Sequence, residues 1–127
     1  MDNAKPTEDV ALGIRRRVFE HSIRNKGGYM SQACSSAEQL AWLYNEELRF
    51  GEPTLPMIPK PFGGVPSAGN TDYHTGAGYN GPAEPQYDRL FIAPAHYALV
   101  AYATLIEVGR MAPEGLGLAR SSPRSSP

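Results

Sequence analysis

The chain has little cysteine and no excess of either charge sign, and both shortages exclude classes of protein. Among 127 residues, Cys34 is the only cysteine. Neither an intrachain disulfide nor a metal site built from several thiolates can therefore form. Lys and Arg number 12, Asp and Glu number 13, and no basic stripe interleaves with aromatic residues. Bulk charge therefore does not direct this protein to nucleic acid or to a membrane surface.

Long apolar runs are also scarce. The run Tyr97–Ile106 is about half as long as a helix that crosses a bilayer. The N-terminal sequence MDNAKPTEDVALG is polar and acidic, unlike a secretory signal. We therefore expect a cytoplasmic protein that makes no contact with a membrane.

Apolar spacing predicts helices in the first half of the chain. The first covers about residues 8–26, where Ala11, Ile14 and Val18 recur at intervals of three and four. Phe19 and Ile23 are expected to widen the same apolar stripe. A second helix is expected to start at Ser35–Glu38. This is a capping box, in which the Ser hydroxyl and the Glu carboxylate each accept a backbone N–H of the first turn.

The second half adds one strand and one helix. Arg89–Ile92 has the composition of a short buried strand, and Ala95–Val108 that of a third helix, apolar on nearly every face. Gly109 suits the left-handed cap at the end of that helix. Residues 1–116 therefore form the ordered unit. The repetitive Ser, Pro and Arg sequence of 117–127 is expected to be disordered.

Residues 51–87 separate these two halves and differ from both. They contain 7 Gly and 7 Pro among 37 positions, and they show almost no periodicity. A loop of this length is uncommon in a compact domain unless it is functional or disordered. Its stretch Asp72–Asn80, NTDYHTGAGYNG with its flanks, carries Asp, Tyr, His and Asn side chains. We interpret it as a binding loop or an interface insertion.

His96 is the first candidate for chemistry, and two interpretations of it stay open. Pro94 suits the first position of a helix, which places His96 in the first turn of the third helix. Free backbone N–H groups there attract anions, phosphate above all, and a His could donate a further hydrogen bond. The alternative is a structural His that packs at the helix start and bonds to a nearby carbonyl group.

Other reactive side chains give weaker signals. His21 is expected on the surface of the first helix, and His74 lies in the Gly-rich loop. With no paired His spacing, the histidines give no metal signature. Cys34 has no base nearby in sequence and is expected to be a small buried residue. Arg15–Arg17 is expected to form a solvated face, although one Arg could reach an acidic partner. Fingerprints of hydrolases, P-loop proteins and dinucleotide-binding proteins are absent.

Two separated segments together resemble the start of a transketolase. Residues 14–44, IRRRVFEHSIRNKGGYMSQACSSAEQLAWLY, resemble that family's basic first helix, its turn and its second helix. Residues 88–111, DRLFIAPAHYALVAYATLIEVGRM, resemble the Asp-Arg…His segment and the apolar helix after it. The spacing from Asp88 to His96 matches the family pattern.

The resemblance implies an α/β fold, namely a partial thiamine-diphosphate-binding domain with three helices, one short buried strand and a long Gly/Pro-rich loop. It implies that His96 donates to the diphosphate of the cofactor, and that Tyr29 and Ser31 line the cofactor or donor-substrate side. Tyr29 stands where the family has His, and a Tyr does not exchange protons near neutral pH because its pKa is about 10. Transketolases transfer two-carbon ketol units with thiamine diphosphate and Mg²⁺.

The family's Gly-Asp-Gly…Asn motif, which holds the metal ion, is missing from these 127 residues. No catalytic residue and no metal ligand is therefore assigned on this chain. We expect residues 1–116 to be an incomplete transketolase-like N-terminal domain, inactive alone, that joins the remainder of such an enzyme or a second subunit, with a homodimer among the expected assemblies. The alternative is a small helical interaction module without catalysis.

Overall fold

The computed structural model describes residues 5–25, 30–58, 68, 76–92 and 97–119. Four α-helices lie in this part of the chain: α1 (Thr7–Asn25), α2 (Met30–Trp42), α3 (Ala98–Glu107) and α4 (Glu114–Ala119). Two shorter turns accompany them: a π-helical turn that continues α2 (Leu43–Glu47) and a 3₁₀ turn (Gly76–Asn80).

Helix α1 confirms the helix predicted from about residue 8. Its first turn carries Glu8 and Asp9, and its last turn carries Arg24. These charges complement the positive N-terminal and negative C-terminal ends of the helix dipole. The side that faces the core buries Ile14 and Val18 completely, as the apolar stripe predicts. Phe19 and Ile23, expected to widen that stripe, are 53% and 62% exposed, so this part of the prediction is wrong.

The core lies where α1 packs against α2 and α3. Its buried members come from all three helices: Val10, Ala11, Ile14, Val18, Ala33, Ala37, Leu40, Ala41, Val100 and Ala103. Alanines dominate the contribution of α2, which allows its backbone to approach α1 closely. A second cluster joins the end of α3 to α4 and to the 3₁₀ turn: Tyr79, Leu105, Ile106, Met111 and Leu116.

Helix α2 begins earlier than the capping box predicts. It starts at Met30, so Ser35 lies inside the helix and not at its N-cap. The Ser35 hydroxyl donates to the Gln32 carbonyl oxygen at 3.2 Å, and the Ser36 hydroxyl donates to the same oxygen at 2.5 Å. Inside a helix, a Ser hydroxyl can donate its hydrogen bond in this way to a backbone carbonyl oxygen about one turn earlier. The capping assignment is therefore wrong.

Helix α3 confirms the predicted apolar helix, with Glu107 as its last residue. Gly109 follows with φ of 86°, which is the left-handed cap expected from the sequence. The start predicted at Ala95 lies outside the described residues. Helix α4 was not predicted. It reaches Ala119 and so overlaps the first residues of the tail expected at 117–127, of which 120–127 lie outside the described residues.

The α/β expectation is wrong for the part of the chain that the structure describes, which is helical and shows no strand. Residues 89–92, predicted as a short buried strand, are irregular, and the Phe91 side chain is 86% exposed. A strand requires a neighbouring strand to pair its backbone N–H and C=O groups. In the described ranges, the backbone hydrogen bond nearest to this segment joins the Asp88 N–H to the Arg49 carbonyl oxygen at 2.7 Å. No ladder of backbone hydrogen bonds continues from it into residues 89–92 there.

Candidate functional site

The predicted cofactor-binding residues are only partly described by the structure. His96 and Tyr29 lie outside the described residues. Ser31 lies in the first turn of α2, with an exposed side chain whose hydroxyl donates to Gln32 Oε1 at 3.1 Å. Its exposure leaves Ser31 accessible to a ligand.

The described residues do not fit a metal-bridged diphosphate. Nowhere in the described ranges do three or more His, Cys, Asp or Glu side chains come together as a set that could hold a metal ion. A Mg²⁺ ion that bridges two phosphates needs oxygen ligands from the protein. We therefore derive no chemical step through thiamine diphosphate or Mg²⁺ on this chain.

What the structure does form is a groove between α2 and the segment before α3, with a volume of about 470 Å³. We refer to it below as the docking groove. Its lining comes from the second half of α2, the π-helical turn and residues just before α3: Ser35, Ser36, Gln39, Leu40, Trp42, Leu43, Phe91, Ile92 and Tyr97.

The docking groove is apolar where it is most open. Trp42 is 46% exposed, Phe91 86% and Ile92 39%. Three large apolar side chains exposed side by side form a patch typical of a protein interaction site. Trp is also one of the residue types that carry most binding energy in interfaces, and aromatic residues in general are enriched there. Sequence reasoning missed this groove, although the only tryptophan of the chain was a signal that could have marked it.

The chemistry of the docking groove is that of a binding surface. The described residues that line it carry no carboxylate, imidazole, thiol, ammonium or guanidinium group. General acid–base and nucleophilic catalysis both need such groups within hydrogen-bond reach of a substrate. The groove can therefore take up apolar side chains, and its described residues offer no group that moves protons near neutral pH.

The described end of the loop predicted to bind a ligand has a structural role. Asp72 and His74 lie outside the described residues. Tyr79 is 2% exposed, and its hydroxyl donates to the Pro56 carbonyl oxygen at 2.6 Å. The Tyr44 hydroxyl donates to Asn80 Oδ1 at 2.8 Å. Burial raises the pKa of both phenols, so they remain neutral hydrogen-bond donors.

Arg110 fastens the Gly/Pro-rich segment to the end of α3. Its guanidinium Nη1 donates to the carbonyl oxygens of Gly51 at 2.8 Å and Tyr79 at 2.9 Å, and its charge lies 5.2 Å from the centre of the Phe50 ring. Burial lowers the pKa of Arg110. No acidic residue bonds to this guanidinium within the described segments, and backbone carbonyls take that place.

The basic run of α1 stays partly exposed, and two of its arginines reach acidic residues on neighbouring helices. Arg17 and Lys5 both bond to the carboxylate of Glu107 at the end of α3. Arg15 Nη2 donates to Glu38 Oε1 on α2 at 2.5 Å. The run therefore connects α1 to both of its neighbours, and Arg16 is its most exposed member.

Two further predictions about single residues are wrong. Cys34, expected to be buried, is exposed on α2. His21, expected on the surface, is 5% exposed, and its backbone carbonyl accepts a hydrogen bond from Asn25 Nδ2 at 2.9 Å. Both errors concern which side of a helix faces the core, which is decided by the positions of the neighbouring helices.

Comparison with known proteins gives no relative from which a function could be carried over. No family model matches this chain, and no curated protein or solved structure matches it either. None of the described helices combines the length and the apolarity that crossing a bilayer requires. The transketolase resemblance therefore rests on the two sequence segments alone.

Proposed function

We propose that this chain is the helical N-terminal component of a transketolase-like enzyme, and that it works by docking onto further protein through the docking groove. The cofactor-dependent transfer of two-carbon ketol units belongs to the assembled enzyme. This chain alone is inactive, and we place it in the cytoplasm, where sugar phosphates are found.

The position of the docking groove carries this proposal. The groove lies between the two segments that resemble transketolases, since Trp42 belongs to residues 14–44, and Phe91 and Ile92 belong to residues 88–111. The packing of α1 against α2 and α3 brings these segments into one unit. Phe91 and Ile92 are also close in sequence to His96, the residue proposed to donate to the diphosphate. A partner that binds to them would therefore bind next to that part of the chain.

The docked partner has to complete the site. In the proposed assembly it supplies the oxygen ligands for Mg²⁺ and the catalytic groups, because the described residues of this chain offer no such set. The contribution of this chain is hydrogen-bond donors to the cofactor: His96, with Tyr29 and Ser31 on the same side. Burial of the open apolar side chains supplies the affinity, at roughly 25 cal/mol per Å² of apolar surface removed from water.

Calorimetric titration tests the proposal. Thiamine diphosphate with Mg²⁺ is titrated into this chain alone, and into its mixture with a transketolase-like chain from the same organism that carries a Gly-Asp-Gly…Asn segment. That partner chain is also titrated by itself. We expect binding heat that is specific to the mixture and that is reduced by His96→Ala. If the mixture adds no heat beyond the partner's own, the enzyme assignment fails. If His96→Ala leaves the heat unchanged, the site assignment fails.

A second function is favoured by the chemistry of the docking groove. The described residues of its lining are apolar or uncharged, which suits a non-catalytic helical interaction module. A module of this kind would bind its partner through Trp42 and Phe91 without any effect of thiamine diphosphate. Partner binding that is equally strong with and without cofactor, combined with no cofactor heat in any mixture, would favour the module over the enzyme component.

A further inference from the structure

A second apolar surface runs along the outer face of α1. Leu12 is 53% exposed, Phe19 53% and Ile23 62%. None of these residues lines the docking groove, and the opposite side of α1 already packs against α2 and α3. We call this row, together with the exposed Arg16, the α1 seam. A partner in the docking groove would leave this surface uncovered.

The spacing of the α1 seam is that of a contact between two helices. Positions 12, 16, 19 and 23 follow one another at intervals of four, three and four, which is the alternation of the a and d positions of a heptad. Such a row keeps facing a second helix laid along it. Leu12 and Ile23 occupy its two ends, and Arg16 and Phe19 occupy its middle.

The order of side chains along the seam selects its occupant. In a parallel pair of identical helices, each residue meets its own copy, so Arg16 would face Arg16 and Asp9 would face Asp9, which is repulsive. In an antiparallel pair centred between Arg16 and Phe19, Leu12 packs on Ile23 of the second copy. Arg16 then lies against the Phe19 ring of that copy, an attractive cation–π contact.

The ends of α1 add to this self-complementarity. Its N-terminal turn is acidic, with Glu8 and Asp9 exposed, and its last turn carries the exposed Arg24. Antiparallel alignment places the acidic end of each helix near the basic end of the other, and it also opposes the two helix dipoles. A chemically different partner would need the reverse order of charges, whereas a second copy provides it by symmetry.

We propose that this chain associates with a second copy of itself through an antiparallel contact between the two α1 seams. The seam spans about 17 Å from Leu12 to Ile23 at 1.5 Å rise per residue. Such a contact is small against the 1,200–2,000 Å² or so buried in standard interfaces. The dimer is therefore weak and reversible, with a dissociation constant on the order of 100 μM. The docking groove stays open in it.

Sedimentation velocity tests the contact, over roughly 1 μM to 1 mM protein. Phe19→Glu removes the central seam residue, and Phe91→Glu, at the more exposed Phe of the docking groove, is the control. We expect dimers for the original chain and for Phe91→Glu, and an association at least about tenfold weaker for Phe19→Glu. Ile23→Glu repeats the test at the end of the seam, and circular dichroism checks that each variant is folded.

Disulfide trapping tests the orientation, in a Cys34→Ser background. Leu12→Cys and Ile23→Cys chains are mixed and oxidised, and the antiparallel seam gives mainly the mixed Leu12→Cys/Ile23→Cys disulfide. A purely monomeric chain at every concentration overturns the proposal. So does dimerisation unaffected by Phe19→Glu, or preferential trapping of two Leu12→Cys chains. No cofactor and no partner protein enters these measurements, so their result is independent of the enzyme assignment.

Discussion

Replacing Glu107 with Gln is expected to destabilise the fold, because this carboxylate joins three separate parts of the chain. Its side chain is 6% exposed, while those of its partners Lys5 and Arg17 are 44% and 33% exposed. Lys5 precedes α1, Arg17 lies in the middle of α1, and Glu107 is the last residue of α3. The interaction is thus a bridge between α1 and α3 that is buried at its acidic end.

The size of the effect follows from these exposures. A hydrogen bond to a charged group contributes about 1.5–3 kcal/mol, but half-open cations are screened and can return to water, which lowers that figure. Gln keeps the shape of the side chain and one acceptor oxygen while it loses the charge. We therefore expect Glu107→Gln to lower the free energy of unfolding by about 2 kcal/mol at neutral pH.

The dependence on pH has a definite sign. Burial raises the pKa of Glu107, but hydrogen bonds from Lys5 and Arg17 outweigh it, so that the pKa lies below the usual value. A carboxylate with a depressed folded-state pKa stabilises the protein above its unfolded pKa of about 4.3. That contribution is lost as the pH falls through the folded-state pKa. The original chain should therefore lose more stability on acidification than Glu107→Gln does.

Urea denaturation followed by circular dichroism, at neutral pH and at about pH 3, measures both effects. Glu20→Gln is the control, since Glu20 is exposed on α1 and has no ion pair with a described residue. We expect the control to stay within about 0.5 kcal/mol of the original chain. Two results would refute the stabilising role of the bridge. One is a Glu107→Gln protein as stable at neutral pH as Glu20→Gln. The other is an equal loss of stability on acidification in Glu107→Gln and Glu20→Gln, since Glu20→Gln keeps Glu107.

Three further predictions concern single positions. A Cβ at Gly13 would collide with the Glu107 carboxylate, so Gly13→Ala should destabilise the original chain. In a Glu107→Ala background the collision is gone, and the higher helix propensity of Ala should stabilise the protein by up to about 1 kcal/mol. Gly81 has φ of 91°, and a Cβ there would lie 2.7 Å from the Gly51 carbonyl oxygen, so Gly81→Ala should cost about 2 kcal/mol or more. Arg110→Met should cost about 2 kcal/mol because the Gly51 and Tyr79 carbonyls lose their donor. Urea denaturation measures the free energy of unfolding in all three cases. A change below about 0.5 kcal/mol at Gly81 or Arg110 would contradict the prediction for that residue. For Gly13, the contradicting result is an effect of the same sign in both backgrounds.

Local sequence signals predicted the helices better than their ends. Apolar spacing located α1 to within a residue or two, and Gly109 marked the end of α3. The capping box at Ser35–Glu38 misplaced the start of α2. A Ser can cap a helix or bond to a carbonyl one turn back inside it, and the tetrapeptide alone does not decide between the two.

Features that depend on distant neighbours could not be predicted. The strand expected at 89–92 had a suitable composition, but a strand exists only with a partner, and the described chain supplies none. Glu107 and Arg17 are far apart in sequence, and nothing local indicates that they meet. The side of α2 that buries Ala33 and leaves Cys34 exposed is likewise set by where α1 lies.

The site predicted from chemistry and the groove found through exposure are different features. His96 and Tyr29 were selected as hydrogen-bond donors, and they stay predictions because they lie outside the described residues. The docking groove was not foreseen, because Trp42 and Phe91 belong to apolar stretches that local patterns assign to a core. Only the packed structure shows that the core is already filled without them.

The most direct test of the proposed function is the affinity of this chain for the transketolase-like partner that carries the Gly-Asp-Gly…Asn segment. The immobilised chain is compared with its Phe91→Glu variant in the docking groove and with Phe19→Glu in the α1 seam. Docking through the groove predicts binding that Phe91→Glu weakens at least about tenfold and that Phe19→Glu leaves unchanged. No binding of the partner, or equal binding by the original chain and Phe91→Glu, would contradict it.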